Sequence, residues 1–405
     1  MRHEHSMTRA KGALRVELVD CPDEFYALRD DWDNLHARDP QSGVFLSWDW
    51  LAEAFRDNLY RWSVLVARDD DGAVVGILPI KYRVHWSGSR GEFQTELSAG
   101  GRLLWSEYVG FLCDPAQEER ALVAMAERLA QLPWVSLSMR YVDQPQRCEI
   151  FSDALAERDF SVRYKDYMIN GGTTDNLACP RVALPDTFGE YLGQVISRNR
   201  RQQFNRFRRR YLDTGDYAIT HTTRDTLEDD LDALLGFWKV KWREQKGARQ
   251  ADRVADNYRA VLTAAQGTGT LFLPVLRQEG AAVGALGHVV DHARGIVHFI
   301  VAGRDTAATE PFIGSALHFF SIEWAISQGH TVYDFCHGNE DYKYGYGAAD
   351  MKVLSFEARR RSLTPDNVFD SICVGEALWR MGKFMSADDK EKALRGCAQM
   401  VGVFT

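Results

Sequence analysis

The chain lacks a cysteine framework. Its seven cysteines, an odd number, are scattered along 405 residues, and none stands in a C-x-x-C pair. That pattern argues against a disulfide scaffold and a zinc site. It points to reduced thiols in the cytoplasm, with no metal. Long apolar runs are also missing, and nothing approaches the roughly 20 residues of a membrane span. The start, MRHEHSMTRAKG, has no apolar stretch of the secretory kind. It reads as a disordered lead over residues 1–13, with Met7 as a second start. There is no surplus of positive charge either. The net charge is −8, so no global field draws the chain to DNA or an anionic membrane, and any polyanion site must be local.

What the chain does have is length for two domains and a repeated pattern. Apolar content of 45% and charged content of 26% are ordinary for a globular protein. SVLVARDDDGAVVGILPIKYR (63–83) alternates apolar residues about a tight turn, which predicts a hairpin. LFLPVLRQEGAAVGALGHVVD (271–291) has the same layout, with G-A-x-V-G in both copies. The match continues through predicted strands at 107–114 and 295–303, helices at 117–132 and 311–329, strands at 134–140 and 331–337, and last strands at 161–169 and 351–359. Several elements in one order point to duplication. The join lies near 171–187, where Gly, Pro and Thr concentrate.

Hairpin, strand, helix and strand in this order resemble the GNAT acyltransferase fold. Two copies, with DGxxVGILP early and YDFxxGxxxYKxxxG late, are similar to the CelD/BcsL-type acetyltransferases, relatives of the FemABX peptidyl transferases. The resemblance spans roughly residues 40–360 and implies an α/β (α+β) chain of two tandem GNAT-like domains. Each domain would be a mixed central sheet flanked by helices. The expected boundaries are 14–175 for an N-terminal domain, 176–365 for a C-terminal one and 366–405 for a helical extension. The implied activity is acyl transfer, acetyl foremost, from acetyl-CoA or another acyl-CoA to an amine or hydroxyl. An amino sugar or an envelope or exopolysaccharide precursor is the implied acceptor.

The second copy offers the better donor loop. AGRDTAATEPFIGSALHFF supplies Arg304 for a phosphate and Ile313, Gly314, Ser315 and Ala316 at a helix start, where free N–H groups and the dipole favour an anion. Glu310 is an unwelcome charge beside it. The first copy has CDPAQEERAL, whose acids cap a helix but repel phosphate, so it reads as degenerate. The segment YDFCHGNEDYKYGYG (333–347) empties a strand into a turn dense in titratable groups. Asp334 and His337 are candidates for amine deprotonation, and Tyr342 and Lys343 for the leaving group or oxyanion. Each has a structural alternative: Asp334 paired inside the core, His337 as a hydrogen-bonded surface group. His288, His298 and Glu340 are second-rank candidates for substrate contact. Cys336 reads as a core thiol.

SRNRRQQFNRFRRRYLDTGD (197–216) predicts a basic amphipathic helix, capped by Ser197, with Phe204, Phe207 and Tyr211 on one face. A packed helix with a solvated basic face is the default reading. Contact of Arg200 and Arg201 with a phosphorylated donor or acceptor is the functional one. Aminoacyl transfer from tRNA is an alternative activity that the basic helix favours. The overall negative charge and the missing coiled-coil arm oppose it. A non-catalytic scaffold for polysaccharide assembly is another alternative, and a homodimer is compatible with the sequence.

Overall fold

The structure, a computed structural model, describes residues 14–308 and 310–404, so the lead expected over 1–13 lies outside the described residues. Eighteen strands are formed among them. The earlier ones are β1 (Arg15–Val19), β2 (Trp62–Arg68), β3 (Val74–Ser87), β4 (Glu92–Ala99), β5 (Leu112–Cys113), β6 (Ser136–Val142), β7 (Phe160–Tyr164), β8 (Met168–Ile169) and β9 (Thr174–Asp175). The later ones are β10 (Ala178–Ala183), β11 (Tyr217–His221), β12 (Leu271–Phe272), β13 (Pro274–Gln278), β14 (Ala281–Asp291), β15 (Ile296–Arg304), β16 (Val332–Asp334), β17 (Ala349–Lys352) and β18 (Leu354–Arg360).

Two mixed eight-stranded sheets result. The first has the order β1-β2-β3-β4-β6-β18-β7, with β5 beside β3; the second has β11-β13-β14-β15-β16-β10-β17, with β12 beside β14. Their shared plan confirms the repeat. In each, a hairpin leads to an antiparallel third strand, which pairs in parallel with the strand after the helix: β4 with β6, and β15 with β16. A strand from the other end of the sequence then enters next: β18 beside β6, and β10 beside β16.

The compact units are therefore interleaved in sequence. Among the described residues, one comprises 14–103, 108–165 and 354–404, the other 104–107 and 166–353, where consecutive blocks 14–175 and 176–365 were expected. The helices at Val374–Ser386 and Lys390–Phe404 complete the first unit. Phe384 stacks on Phe93, and the Gln399 amide bonds both the N–H and the carbonyl of Phe93.

The repeated G-A-x-V-G has a physical cause in both units. Gly72 and Gly280 hold φ near +87° and +83° in the hairpin turn, a conformation that suits glycine. Gly76 and Gly284 lie under the start of the following helix. A methyl at Gly76 would meet Ala121 at 2.9 Å, and one at Gly284 would meet Ile313 at 2.7 Å. The signature thus fixes how closely each helix approaches its sheet, and in the second unit it sets the position of Ile313–Ser327.

Three sequence expectations change. The strand expected at 107–114 is extended only at Leu112–Cys113, and the place beside β3 is taken by Glu92–Ala99. The apolar alternation of that segment is masked by Gln94 and Thr95, which are buried; the Thr95 hydroxyl accepts from Asp370 N–H at 2.8 Å. The strand expected at 351–359 divides at Val353, with β17 in one sheet and β18 in the other. The strand expected at 161–169 is likewise two short ones, Phe160–Tyr164 and Met168–Ile169.

Candidate active site

β15 and β16 pair over three residues only, Ile296–His298 against Val332–Asp334. β15 then runs on to Arg304, displaced by a bulge that leaves Ile300 without a partner on β14. β16 stops at Asp334, and the chain turns at Cys336, where φ is +52°. The two strands diverge, and helix 313–327 lies behind them. His318 of that helix sits in the fork. Its ring centroid is 4.7 Å from that of Phe299 on β15 and 5.2 Å from that of Phe335 beyond β16. Tyr342 and Tyr346 close in at 6.0 and 5.2 Å.

The first turn of helix 313–327 carries no side-chain cap, and the space a Cβ of Gly314 would enter holds nothing within 4 Å. Free N–H groups on an open face are what an anion needs. Arg304 instead spans the loop, donating to the Pro311 carbonyl at 3.0 Å, and Glu310 accepts from Phe312 N–H at 2.9 Å. The corresponding place in the first unit is filled. Arg147, fully buried, pairs with Asp39 at 2.7 Å and Glu118 at 2.6 Å, and Asp39 accepts from Cys113 N–H.

Asp334 is fully buried. It pairs with Arg181 Nε at 2.9 Å and His298 Nδ1 at 3.0 Å, and accepts from Cys336 N–H at 2.8 Å. Burial alone would raise its pKa, but the Arg181 charge and the hydrogen bonds from His298 and Cys336 hold it well below the usual carboxylate range. Both of its oxygens are engaged by these partners, and the side chain is fully buried. The ligand atoms of His298, Asp334 and Cys336 lie within 4.8 Å of one another. A metal there would compete with the Arg181 guanidinium for Asp334, and burial drives the Cys336 thiol well above its ordinary pKa.

His337 does not suit a base. Its Nε2 lies 2.7 Å from the Glu107 carbonyl and 3.1 Å from the Glu107 carboxylate, and Nδ1 lies 3.3 Å from Cys179 Sγ. Burial works to lower its pKa, but the Cys179 sulfur and the Glu107 carboxylate outweigh it and push it up to about 10. Lys343 is 3% exposed and spends its ammonium on the carbonyls of His337 (2.6 Å) and Gly338 (2.8 Å) and on Glu340 (3.0 Å). It is a clamp for the loop. Tyr342 is 43% exposed, and its hydroxyl has no hydrogen-bond partner among the described residues. Of the four residues expected to catalyse, Tyr342 alone combines exposure with a free hydrogen-bonding group.

Arg200 lies over the Tyr346 ring, 4.7 Å from its centroid, against Gly345. Its Nη1 is buried and without a partner. Arg201 donates to the Leu192 carbonyl at 3.0 Å. The basic helix forms as expected at Arg198–Phe207, with Ser197 Oγ accepting from Arg200 N–H and Phe204 and Phe207 buried.

His288 is fully buried. Its Nδ1 lies 3.0 Å from the Phe272 carbonyl and its Nε2 2.9 Å from Tyr333 Oη; on the far side Tyr333 Oη lies 2.9 Å from His318 Nδ1. With His288 neutral, one proton arrangement satisfies this row. The carbonyl can only accept, so His288 carries its proton on Nδ1. Burial pushes its pKa down to about 3, so its Nε2 is a lone pair that accepts from Tyr333 O–H. Tyr333 then accepts from His318 Nδ1–H. His318 Nε2 is left as a lone pair, without a partner among the described residues. His318 escaped the sequence reading because it sits mid-helix at a core position. The signal was in the sequence as two histidines and a tyrosine on three adjacent elements, but no local motif joins them.

Residues 198–344 match the family model of the acetyltransferase (GNAT) domain. The crystal structure of FemX aligns with a TM-score of 0.58 and 12% identity, over 84% of this chain and 96% of that one. A tandem GNAT protein from the clavulanic acid biosynthesis pathway aligns at 0.48 and 12%, over 86% and 100%. L-PGS from Bacillus licheniformis aligns at 0.48 and 12%, over 84% and 92%. No curated protein matches. Residues 198–344 thus carry a GNAT acetyltransferase-type domain, and the chain shares its fold with FemX. No helix among the described residues is long and apolar enough to cross a membrane.

Proposed function

We propose that the second unit moves an acyl group, acetyl in the simplest case, from a CoA thioester to an amine or hydroxyl acceptor. The observation that carries this is the uncapped, open helix start at Ile313–Ser315 beside the diverging pair β15 and β16. There the donor's pyrophosphate would meet free N–H groups, and its thioester would reach the fork. Arg200, with a buried unpartnered Nη1, is the cation best placed among those expected for an anionic group of donor or acceptor. Tyr342 supplies the exposed hydroxyl suited to protonating the leaving thiolate. The filled site of the first unit supports a role for that unit in packing or acceptor recognition. The resemblance to CelD/BcsL-type enzymes favours an amino sugar of an envelope or exopolysaccharide precursor as acceptor.

The test is a thermal-shift titration with acetyl-CoA, since a ligand that binds only the folded state raises its stability. Gly314→Asp should abolish the shift by crowding and charge, while Ala116→Asp in the first unit should leave it. Equal loss in both variants, or in neither, would refute the assignment. A second reading, aminoacyl transfer from RNA, draws on the exposed Arg206, Arg208, Arg209 and Arg210. It requires a specific tRNA complex that survives physiological salt.

A further inference from the structure

The row Phe272–His288–Tyr333–His318 does more than fill the core. A buried chain of three polar side chains costs stability unless every member is satisfied. Here each is satisfied except the last nitrogen, His318 Nε2, at the end nearest the fork. The rest of His318 is held by packing: Phe299 and Phe335 on either side, with Tyr342 and Tyr346 against the ring. The residue keeps 4% of its surface exposed, next to Tyr342, which is 43% exposed. A lone pair in a fixed tautomer, on a helix, in the fork where a thioester would lie, is the arrangement a proton acceptor needs.

We infer that His318 is the general base of the acyl transfer, and that Tyr333 and His288 are positioning residues that hold its proton on Nδ1 and its lone pair on Nε2. The inference rests on the acyltransferase reading above. In the step, the acceptor's nitrogen lone pair forms the new N–C bond at the thioester carbonyl. The resulting tetrahedral oxyanion collapses and the C–S bond breaks. The proton lost by the acceptor nitrogen goes to His318 Nε2, and the departing thiolate takes a proton from Tyr342 or water. Solvent then returns both side chains to their starting states.

The groups that face His318 set its charge. They are His288 of β14, Tyr333 of β16, Tyr342, Lys343 and Tyr346 of the 341–347 loop, and Arg200 of helix 198–207. Burial first, and then His288, Lys343 and Arg200, keep its pKa well below the ordinary histidine value. The ring is therefore neutral at neutral pH, and the lone pair is available there.

The experiment uses the full chain with acetyl-CoA as donor and hydroxylamine as acceptor, a small amine that needs no recognition. Free CoA release gives turnover, and calorimetry gives donor affinity. His318→Gln should bind acetyl-CoA within about twofold of wild type and lose turnover by about 10²–10³-fold, the usual cost of a proton-transfer group. Imidazole should restore part of the turnover of His318→Ala, which a packing role would not allow. Tyr333→Phe removes only the hydroxyl that fixes the tautomer. It should lower kcat about tenfold and leave the KM for acetyl-CoA unchanged. NMR of ¹⁵N-histidine-labelled protein should show His318 protonated on Nδ1. Wild-type turnover in His318→Gln, a proton on Nε2, or donor binding by wild type with no transfer would each overturn the inference alone. Failure of wild type to bind acetyl-CoA would overturn the acyltransferase reading, and this inference with it.

Discussion

The Arg181–Asp334 pair makes an uneven prediction for its two partners. The Asp334 side chain is fully buried, whereas that of Arg181 is 22% exposed. Arg181→Met strands an ionised carboxylate in the core, and removing one partner of a buried pair costs about 3–5 kcal/mol. His298 Nδ1 at 3.0 Å and Cys336 N–H at 2.8 Å still contact the carboxylate, so the lower end, about 3 kcal/mol, is expected. For a unit of this size that is roughly 6–12 °C in Tm. Asp334→Asn keeps the shape and leaves a guanidinium that can reach water, and should cost about 1–2 kcal/mol. The double variant should be more stable than Arg181→Met alone. Urea or thermal unfolding of the three variants at pH 7 checks the order. The sign with pH follows from the lowered pKa of Asp334. Its stabilisation is present above the unfolded value of 3.8 and is lost as pH falls below it. The gap between wild type and Arg181→Met should therefore narrow in acid. If Arg181→Met is no more destabilised than Asp334→Asn, the argument from unequal burial is wrong.

His337 makes the opposite prediction. Its pKa is raised from 6.5 to about 10, so its pair with Glu107 stabilises the fold fully below pH 6.5 and fades as pH climbs through 10. Chemical denaturation between these limits should show a falling stability that His337→Gln flattens. Tyr342→Phe and Lys343→Met should part company. The first should keep the fold and lose turnover with hydroxylamine by about 10²–10³-fold. The second should lower Tm, by the equivalent of about 2 kcal/mol or more, because two buried carbonyls and Glu340 lose their donor.

The helix start at Ile313 and the polar loop were legible because local chemistry marks them. Gly314 and Ser315 at a helix start, and a polar turn at a strand's end, carry their meaning within a few residues. The roles inside the loop were not. Asp334 and His337 read either as catalytic groups or as paired ones and Lys343 as an oxyanion donor, and each proves to be engaged by a partner distant in sequence or by the loop's own carbonyls: Arg181, Glu107, and the backbone of His337 and Gly338. Which charges are spent and which are available depends on those partners.

The duplication was settled by the sequence alone. Hairpin patterning repeats with G-A-x-V-G at the same points, because a turn needs positive φ and a helix needs room. These are local demands that every copy must meet. The pairing of strands was decided by the tertiary structure. Nothing in LSFEARR or ACPRVA says that each enters the sheet built mainly from the other half of the chain, since both faces of a sheet ask only for alternation. The buried hydrogen-bonded row was likewise decided by the fold. His288, Tyr333 and His318 become one hydrogen-bonded chain only when β14, β16 and helix 313–327 are packed together. With His288 neutral, the direction of its protons follows from the Phe272 carbonyl, which can only accept.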